Sequence, residues 1–152
     1  MKAEIIKLET ADFIKCGNIW DMQKQSELAD QFYREMLDGI RTTYIYQIDG
    51  EFIGEISVVT DAGDPDYTVP GKRLYISRLI IKEEYRRQSI GSKLVEFVIG
   101  KAKDEGYCEL SIGVDLDNYP ALKLYHAAGF DKLLFVGKDE WGKYVKLMKR
   151  LA

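Results

Sequence analysis

Two adjacent arginines, Arg86 and Arg87, stand where a buried apolar run gives way to a helical pattern. The segment 74–94 reads LYISRLIIKEEYRRQSIGSKL, which is typical of a strand, a short basic turn and the start of an amphipathic helix. A helix N-terminus carries unpaired N–H groups and a partial positive charge, so it binds phosphate or pyrophosphate well. The residue types and their order therefore predict a site for a phosphate-bearing, nucleotide-like cofactor.

The elements that precede this segment follow from apolar spacing, capping residues and turn residues. They are a strand at 3–8, two helices capped by Thr10 and Ser26 (the second near 26–40), and a β-hairpin at 42–60. The hairpin is predicted because Asp49-Gly50 is a preferred two-residue turn between strand-like runs.

The elements that surround and follow the basic turn complete a mixed α/β fold. They are a strand at 72–81, a helix at 89–104, a strand at 107–114, a helix from the cap Asn118 to Gly129, and a hairpin of 130–136 with 141–148. A strand–helix–strand crossover makes its two strands parallel, whereas the flanking hairpins are antiparallel. A doubly wound nucleotide fold is excluded, because the elements do not alternate and neither G-x-G-x-x-G nor G-x-x-x-x-G-K-[ST] occurs.

The composition predicts a single soluble domain over residues 1–152. Hydrophobic residues make up 46% and charged residues 31%, and the net charge of −3 gives no broad grip on nucleic acid. Neither a signal peptide nor an apolar run of membrane-spanning length is seen, so no membrane partner is expected. Cys16 and Cys108 suggest neither a zinc site nor a disulfide framework, and the expected location is the cytoplasm.

Two motifs, EEYRRQSIGSKL and LDNYPALKLYHAAGF, together resemble segments of the GCN5-related N-acetyltransferase (GNAT) family. The run EEYRRQSIGSKL resembles its acyl-CoA pyrophosphate loop, [QR]-x-x-G-x-[GA], with Arg86 first, Gly91 last and Ser89 where glycine is usual. About thirty residues on, LDNYPALKLYHAAGF resembles the second recurrent segment of the family. The matching residues are Asn118, Ala121, Leu122, Leu124, Tyr125, Gly129 and Phe130. The order of elements also matches over essentially the full chain.

This resemblance implies a fold, a cofactor and an activity. The fold is a mostly antiparallel sheet of six to seven strands with a central parallel pair, flanked by about four helices. The activity is direct transfer of an acetyl group from acetyl-CoA to a primary amine of a small molecule or peptide, without a metal. Tyr125 is the implied general acid beside the cofactor sulfur. The implied cofactor-binding residues are Leu79, Ile80, Ile81, Arg86, Arg87, Gln88, Ser89, Ile90, Gly91, Ser92, Asn118 and Tyr125.

Several alternatives stay open on the sequence. The general base could be Glu55, Ser77 or Asp115, and none stands out. The chain could also be a catalytically silent acyl-CoA-binding or sensor domain, or a structural domain that binds no cofactor. Tyr125 could be a core tyrosine and Asn118 a plain helix cap. A position that requires a positive φ angle would suit Ser89 poorly.

The acidic loop DAGDPDYTVPG has two interpretations. Asp61, Asp64 and Asp66 could attract a cationic amine acceptor, since the family often has its acceptor groove near this region. Equally, aspartate and proline are common in solvated turns for local reasons. The identity of the acceptor and the oligomeric state stay open, with a homodimer as one alternative.

Overall fold

The computed structural model describes residues 1–151, which form seven strands and three α-helices. The strands are β1 Ala3–Lys7, β2 Arg41–Ile48, β3 Glu51–Val59, β4 Arg73–Ile81, β5 Glu109–Asp115, β6 Lys132–Asp139 and β7 Gly142–Arg150. The α-helices are α1 Ser26–Leu37, α2 Ile90–Asp104 and α3 Tyr119–Ala127, and a long 3₁₀ segment spans Thr10–Asn18. The strand order in the sheet is β1-β2-β3-β4-β5-β7-β6.

The sheet is mixed, as the sequence predicts. β4 and β5 are parallel, with Arg73–Ile76 opposite Glu109–Ile112. The pairs β1–β2, β5–β7 and β6–β7 are antiparallel. The predicted sheet with a central parallel pair and about four flanking helical segments is therefore confirmed.

The hairpin turn between β2 and β3 is the predicted one. Asp49 has a φ angle of 50° and Gly50 a φ angle of 83°. Two central residues with positive φ match the right-handed twist of paired strands, which is why Asp-Gly is preferred there.

Two predicted helix starts are wrong in detail. The segment from Thr10 is a 3₁₀ helix, because Phe13, Cys16 and Ile19 are spaced by three residues and this spacing gives one face at three residues per turn. Ser26 is the first residue of α1 rather than its cap. The cap position belongs to Gln25, whose side chain makes no capping hydrogen bond.

The described chain divides into two compact units, each with buried apolar residues of its own. The first comprises Met1–Val58 with Arg78–Leu94, and the second comprises Val59–Ser77 with residues 95–151. The core of the first unit contains Leu8, Cys16, Ile19, Trp20, Ala29, Phe32, Ile45 and Phe52. Buried residues of the second include Leu74, Ile76, Val98, Leu110, Ile112, Phe130 and Met148. The single domain over 1–152 stays a prediction.

None of the helices described within residues 1–151 is both long enough and apolar enough to cross a membrane. The cytoplasmic location stays a prediction.

Candidate active site

The loop between β4 and α2 contains two non-glycine residues in the left-handed conformation. Arg87 has a φ angle of 65° and Ser89 a φ angle of 63°. For a residue with a Cβ atom, such a conformation costs of order 1–3 kcal/mol and persists where the surroundings enforce it, often at ligand clamps. Ser89 thus has a positive φ angle, which glycine adopts easily and serine adopts only at an energetic cost.

The start of α2 presents main-chain donors at the surface. The Ser89 carbonyl accepts the N–H of Lys93 at 3.1 Å, so the N–H groups of the first helical residues have no acceptor within the helix. Ile90 is buried and fixes this end of the helix, and Gly91 is half-buried. The exposed residues here are Arg86, Arg87, Gln88, Ser89 and Ser92. Left-handed residues beside the free N–H groups of a helix start are an arrangement of the kind that binds anions.

The two arginines have different surroundings. Arg86 donates from Nε to the Ile81 carbonyl at 3.0 Å, which ties the loop to the end of β4. Among residues 1–151 neither arginine has an ion pair, whereas Glu84 lies 3.6 Å from the Lys82 ammonium. Arg87 is exposed beside the helix start.

Leu79, Ile80 and Ile81 lie on β4 beyond Ile76, the last residue of the described parallel pairing with β5. All three are half-buried, and Ile80 packs on the core of the first unit.

Gly54 on β3 is a structural residue that the sequence analysis missed. A Cβ atom at this position would lie 2.8 Å from Ile81 Cδ1 and 3.5 Å from both Ile90 Cγ2 and Leu94 Cδ1. The absence of a side chain lets the end of β4 and the first turn of α2 pack closely on β3. A glycine inside a strand is the available signal, because it often marks a close approach.

Glu55, one of the three candidate bases, is buried and bonded. It is 3% exposed, accepts the indole N–H of Trp20 at 2.7 Å, and lies 3.8 Å from Arg78 Nε. Burial raises the pKa of Glu55, with the Arg78 guanidinium acting against it. Arg78 also lies 4.4 Å from the Trp20 ring. Burial likewise raises the pKa of the nearby Cys16 thiol, which keeps it neutral.

The other two candidate bases differ in exposure. Ser77 is half-buried and Asp115 is exposed, with its carbonyl accepting the Asn118 N–H at 3.0 Å. The structure does not single out one general base.

Asn118 and Tyr125 lie in the second unit, on α3. The Asn118 side chain accepts the Ala121 N–H at 3.3 Å, so its predicted capping role is confirmed. Tyr125 is 8% exposed and contacts Phe130 edge-to-face at a centroid distance of 5.7 Å. Burial, with a smaller effect of Tyr75, raises the pKa of Tyr125 to about 12, so its phenol is a neutral donor near pH 7. His126, the next residue, is exposed.

Two of the three carboxylates in the acidic loop pair with Lys146. Lys146 donates to Asp64 at 2.7 Å and to Asp66 at 3.1 Å, and the Asp61 carboxylate accepts the Gly63 N–H at 2.9 Å. These contacts favour the turn interpretation of the loop over attraction of a cationic acceptor. Among residues 1–151 no group of His, Cys, Asp and Glu could hold a metal ion.

The chain is similar to known proteins over most of its length. The family model described as "Acetyltransferase (GNAT) family" matches residues 3–130. The chain therefore belongs to the GNAT acetyltransferase family, which confirms the resemblance seen in the two motifs.

Two relatives and one solved structure illustrate the range of similarity. "N-acetyltransferase family 8 member 2" of Rattus norvegicus is 26% identical over 120 residues, covering 79% of this chain and 51% of that protein. "Putative [ribosomal protein bS18]-alanine N-acetyltransferase" of Bacillus subtilis is 30% identical over 101 residues, covering 66% of this chain and 61% of that protein. A GNAT family acetyltransferase from Elizabethkingia anophelis, solved with acetyl-CoA bound, has a TM-score of 0.73 at 20% identity, covering 97% of both chains. The matches span about half to three fifths of these two relatives.

Proposed function

We propose that this protein binds acetyl-CoA and transfers its acetyl group to a primary amine of a small molecule or peptide. The observation that carries the proposal is the left-handed conformation of Arg87 and Ser89 immediately before α2. Two non-glycine residues held in this conformation, at an exposed helix start with unpaired N–H groups, suit a bound pyrophosphate.

The pyrophosphate is assigned to the loop and the first turn of α2. The main-chain N–H groups there supply hydrogen bonds, and Arg87 supplies an exposed positive charge. Arg86 contributes by holding the loop against the Ile81 carbonyl rather than by offering all its donors to the ligand. The residues proposed for this contact are Arg86, Arg87, Gln88, Ser89, Ile90, Gly91 and Ser92.

The narrow pantetheine arm is assigned to the end of β4. Leu79, Ile80 and Ile81 would pair with its amide groups through their main chain, as an added strand pairs with a sheet edge. A main-chain N–H in the region of Leu79 would stabilise the negative charge that develops on the thioester oxygen. Asn118 is a helix cap in the structure, and its proposed contact with the cofactor is additional to that role.

Tyr125 is proposed as the hydrogen-bond donor to the leaving sulfur. When bound, acetyl-CoA supplies the activated thioester whose C–S bond breaks as the amine attacks. With a pKa of about 12, the phenol is a weaker acid than an ordinary thiol of pKa about 8.5. Tyr125 would therefore stabilise developing thiolate charge chiefly through a hydrogen bond, and final protonation of sulfur can come from solvent. The amine must lose one proton, directly or through water, to a base that is not assigned.

The proposed acceptor is a primary amine. The relative named for the alanine of a ribosomal protein supports a peptide α-amino group as one acceptor class. Pairing of Asp64 and Asp66 with Lys146 weakens the case for a strong preference for polycations. A cytoplasmic location and a homodimer stay predictions.

A catalytically silent acyl-CoA-binding domain is the second candidate. It is favoured by the burial of Glu55 among Trp20 and Arg78, which leaves this carboxylate without access to an acceptor.

The test combines binding with turnover. Calorimetric titration with acetyl-CoA is followed by thiol-release assays over peptides with free N-termini, amino acids, polyamines and aminoglycosides. Binding together with amine-dependent release of thiol supports the proposal. Binding without turnover of any amine supports the silent domain, and failure to bind either acetyl-CoA or coenzyme A overturns both.

A further inference from the structure

Three neighbouring strands of the second unit place Gly113, Lys146 and Phe135 in one row. Lys146 on β7 is the register partner of Gly113 on β5 and of Phe135 on β6. Gly113 has no side chain, and Tyr67 from the loop before β4 occupies the space above it. A Cβ atom at Gly113 would collide with the Tyr67 hydroxyl and lie 3.2 Å from Tyr67 Cζ.

Lys146 is an internal cation with a complete set of partners. Its side chain is 10% exposed, and its ammonium lies 2.7 Å from Asp64 Oδ2 and 3.1 Å from Asp66 Oδ2. The ammonium also lies 5.0 Å from the ring centroid of Tyr67 and 4.6 Å from that of Phe135. A buried ammonium is stable only when its charge is paired, and here carboxylates and aromatic faces both contribute. The two aspartates are therefore counter-ions of Lys146.

The contact between Lys146 and Asp64 also fixes the main chain that leads to Tyr67. Asp64 Oδ1 accepts the Asp66 N–H at 2.9 Å, and the Asp64 carbonyl accepts the N–H groups of Tyr67 and Thr68, each at 3.0 Å. The Tyr67 carbonyl in turn accepts the Ser111 hydroxyl at 2.5 Å. Loss of Lys146 would leave two neighbouring carboxylates without their cation at the base of this turn.

Tyr67 stacks on Tyr75, a residue that also affects the pKa of Tyr125. The rings of Tyr67 and Tyr75 stack at a centroid distance of 4.1 Å and an angle of 22°. Burial is the main cause that raises the pKa of both Tyr67 and Tyr125, and Tyr75 is the next cause for each. Tyr75 is thus close enough to interact electrostatically with both phenols. Tyr67 is half-buried, so part of its side chain is accessible to a small ligand, while its hydroxyl lies over Gly113.

We propose that Tyr67 contacts the amine acceptor and that Lys146 is its positioning residue, acting through Asp64 and Asp66. This inference rests on the proposed acetyl transfer, because Tyr125 marks the reaction centre only if that function holds. It reassigns the acidic loop: its carboxylates hold a tyrosine in place and do not themselves attract the acceptor.

The experiment compares Lys146→Met and Lys146→Arg with the parent protein and with Lys143→Met, an exposed lysine on the same strand. We expect Lys146→Met to lower kcat/KM for the amine by about tenfold, through a higher KM or a lower kcat. The Kd for acetyl-CoA should stay unchanged. Lys146→Arg should recover part of the loss, because a guanidinium can bond to both carboxylates. Lys143→Met should match the parent.

Two further readouts separate positioning from simple destabilisation. In Lys146→Met the amides of Tyr67 and Thr68 should exchange with solvent faster, whereas those of β5 and β7 keep their protection. Tyr67→Phe keeps the ring and its stacking and should raise KM for the amine without altering acetyl-CoA binding. This variant also tests the inference if Lys146→Met does not fold.

The outcomes distinguish the two proposals. A parent protein that binds acetyl-CoA but acetylates no amine overturns the proposed function, and the role of Tyr67 in turnover falls with it. An active parent with fully active Lys146→Met and Tyr67→Phe variants overturns the positioning inference alone. An equal loss of acetyl-CoA affinity and turnover in Lys146→Met also overturns it, because that result indicates general destabilisation.

Discussion

The loops that precede and follow β4 in the chain hold their shapes by different means. The loop after β4 depends on its main chain: Arg87 and Ser89 are left-handed, and most of the side chains there are exposed. The loop before β4 depends on side chains from distant strands, chiefly Lys146 and Ser111. A surface that binds an anion through N–H groups needs a fixed backbone, whereas a surface that presents one phenol needs fixed side chains.

This difference predicts opposite responses to substitution. Changes of backbone preference should matter most in the loop after β4, and changes of charge or hydroxyl groups should matter most in the loop before it. Tyr125 provides a reference for the chemical step, since it belongs to neither loop.

The largest effect is expected for Tyr125→Phe. Loss of the hydroxyl should lower kcat by about 100-fold, within the usual range for removal of one hydrogen-bond donor to a developing negative charge, while the Kd for acetyl-CoA stays within about twofold. Because the pKa of Tyr125 is about 12, its phenol stays protonated from pH 6 to 9 and adds no pH dependence to kcat there. Steady-state kinetics and calorimetry check both parts. Full turnover by the variant would return Tyr125 to a core role.

Gly91→Val should weaken acetyl-CoA binding by about tenfold or more, because a branched side chain in the first turn of α2 would intrude on the pyrophosphate. The matched control is Gly100→Val in the same helix, where a Cβ atom meets no atom within 4 Å. The control carries the helix-propensity change without the proposed ligand contact. Calorimetry measures the affinity of both variants for acetyl-CoA. Equal affinities of Gly91→Val and Gly100→Val would contradict the assignment of the pyrophosphate to this turn.

The smallest effect is expected for Ser89→Gly. Glycine adopts a φ angle of 63° without steric cost, so the variant should gain about 1 kcal/mol in free energy of unfolding and bind acetyl-CoA at least as well as the parent. Ser89→Ala is the control, since it removes the hydroxyl but keeps the strained backbone. Denaturant unfolding of the three proteins measures the difference. Stabilisation by alanine equal to that by glycine would mean that backbone strain is not the cause.

The features predicted from sequence are those set by neighbours in the chain. Asp49-Gly50 forms its turn, Asn118 caps α3, and the basic segment before α2 has the expected strand–turn–helix order. Each depends on residues within a few positions, so the type and spacing of residues carry the information.

The contacts that could not be predicted from the sequence join residues that lie far apart in the chain. Lys146 lies 82 positions from Asp64, and Ser111 lies 44 positions from Tyr67. The aspartates alone were compatible with attraction of a cationic amine acceptor, because nothing in their local pattern revealed an internal counter-ion. Gly54 and Gly113 are similar cases, in which a missing side chain acquires meaning only from the group packed against it.

The most direct measurement of the central assignment is a titration of the ¹⁵N-labelled protein with acetyl-CoA, followed by amide NMR. We predict that the largest shift changes fall on the main-chain amides of 87–92 and 79–81, and that coenzyme A and acetyl-CoA perturb the 87–92 group alike. Amides of the turn at 61–68 should change less. Saturable binding with the changes concentrated elsewhere, and none at 87–92, would contradict the assignment of the pyrophosphate to the loop after β4.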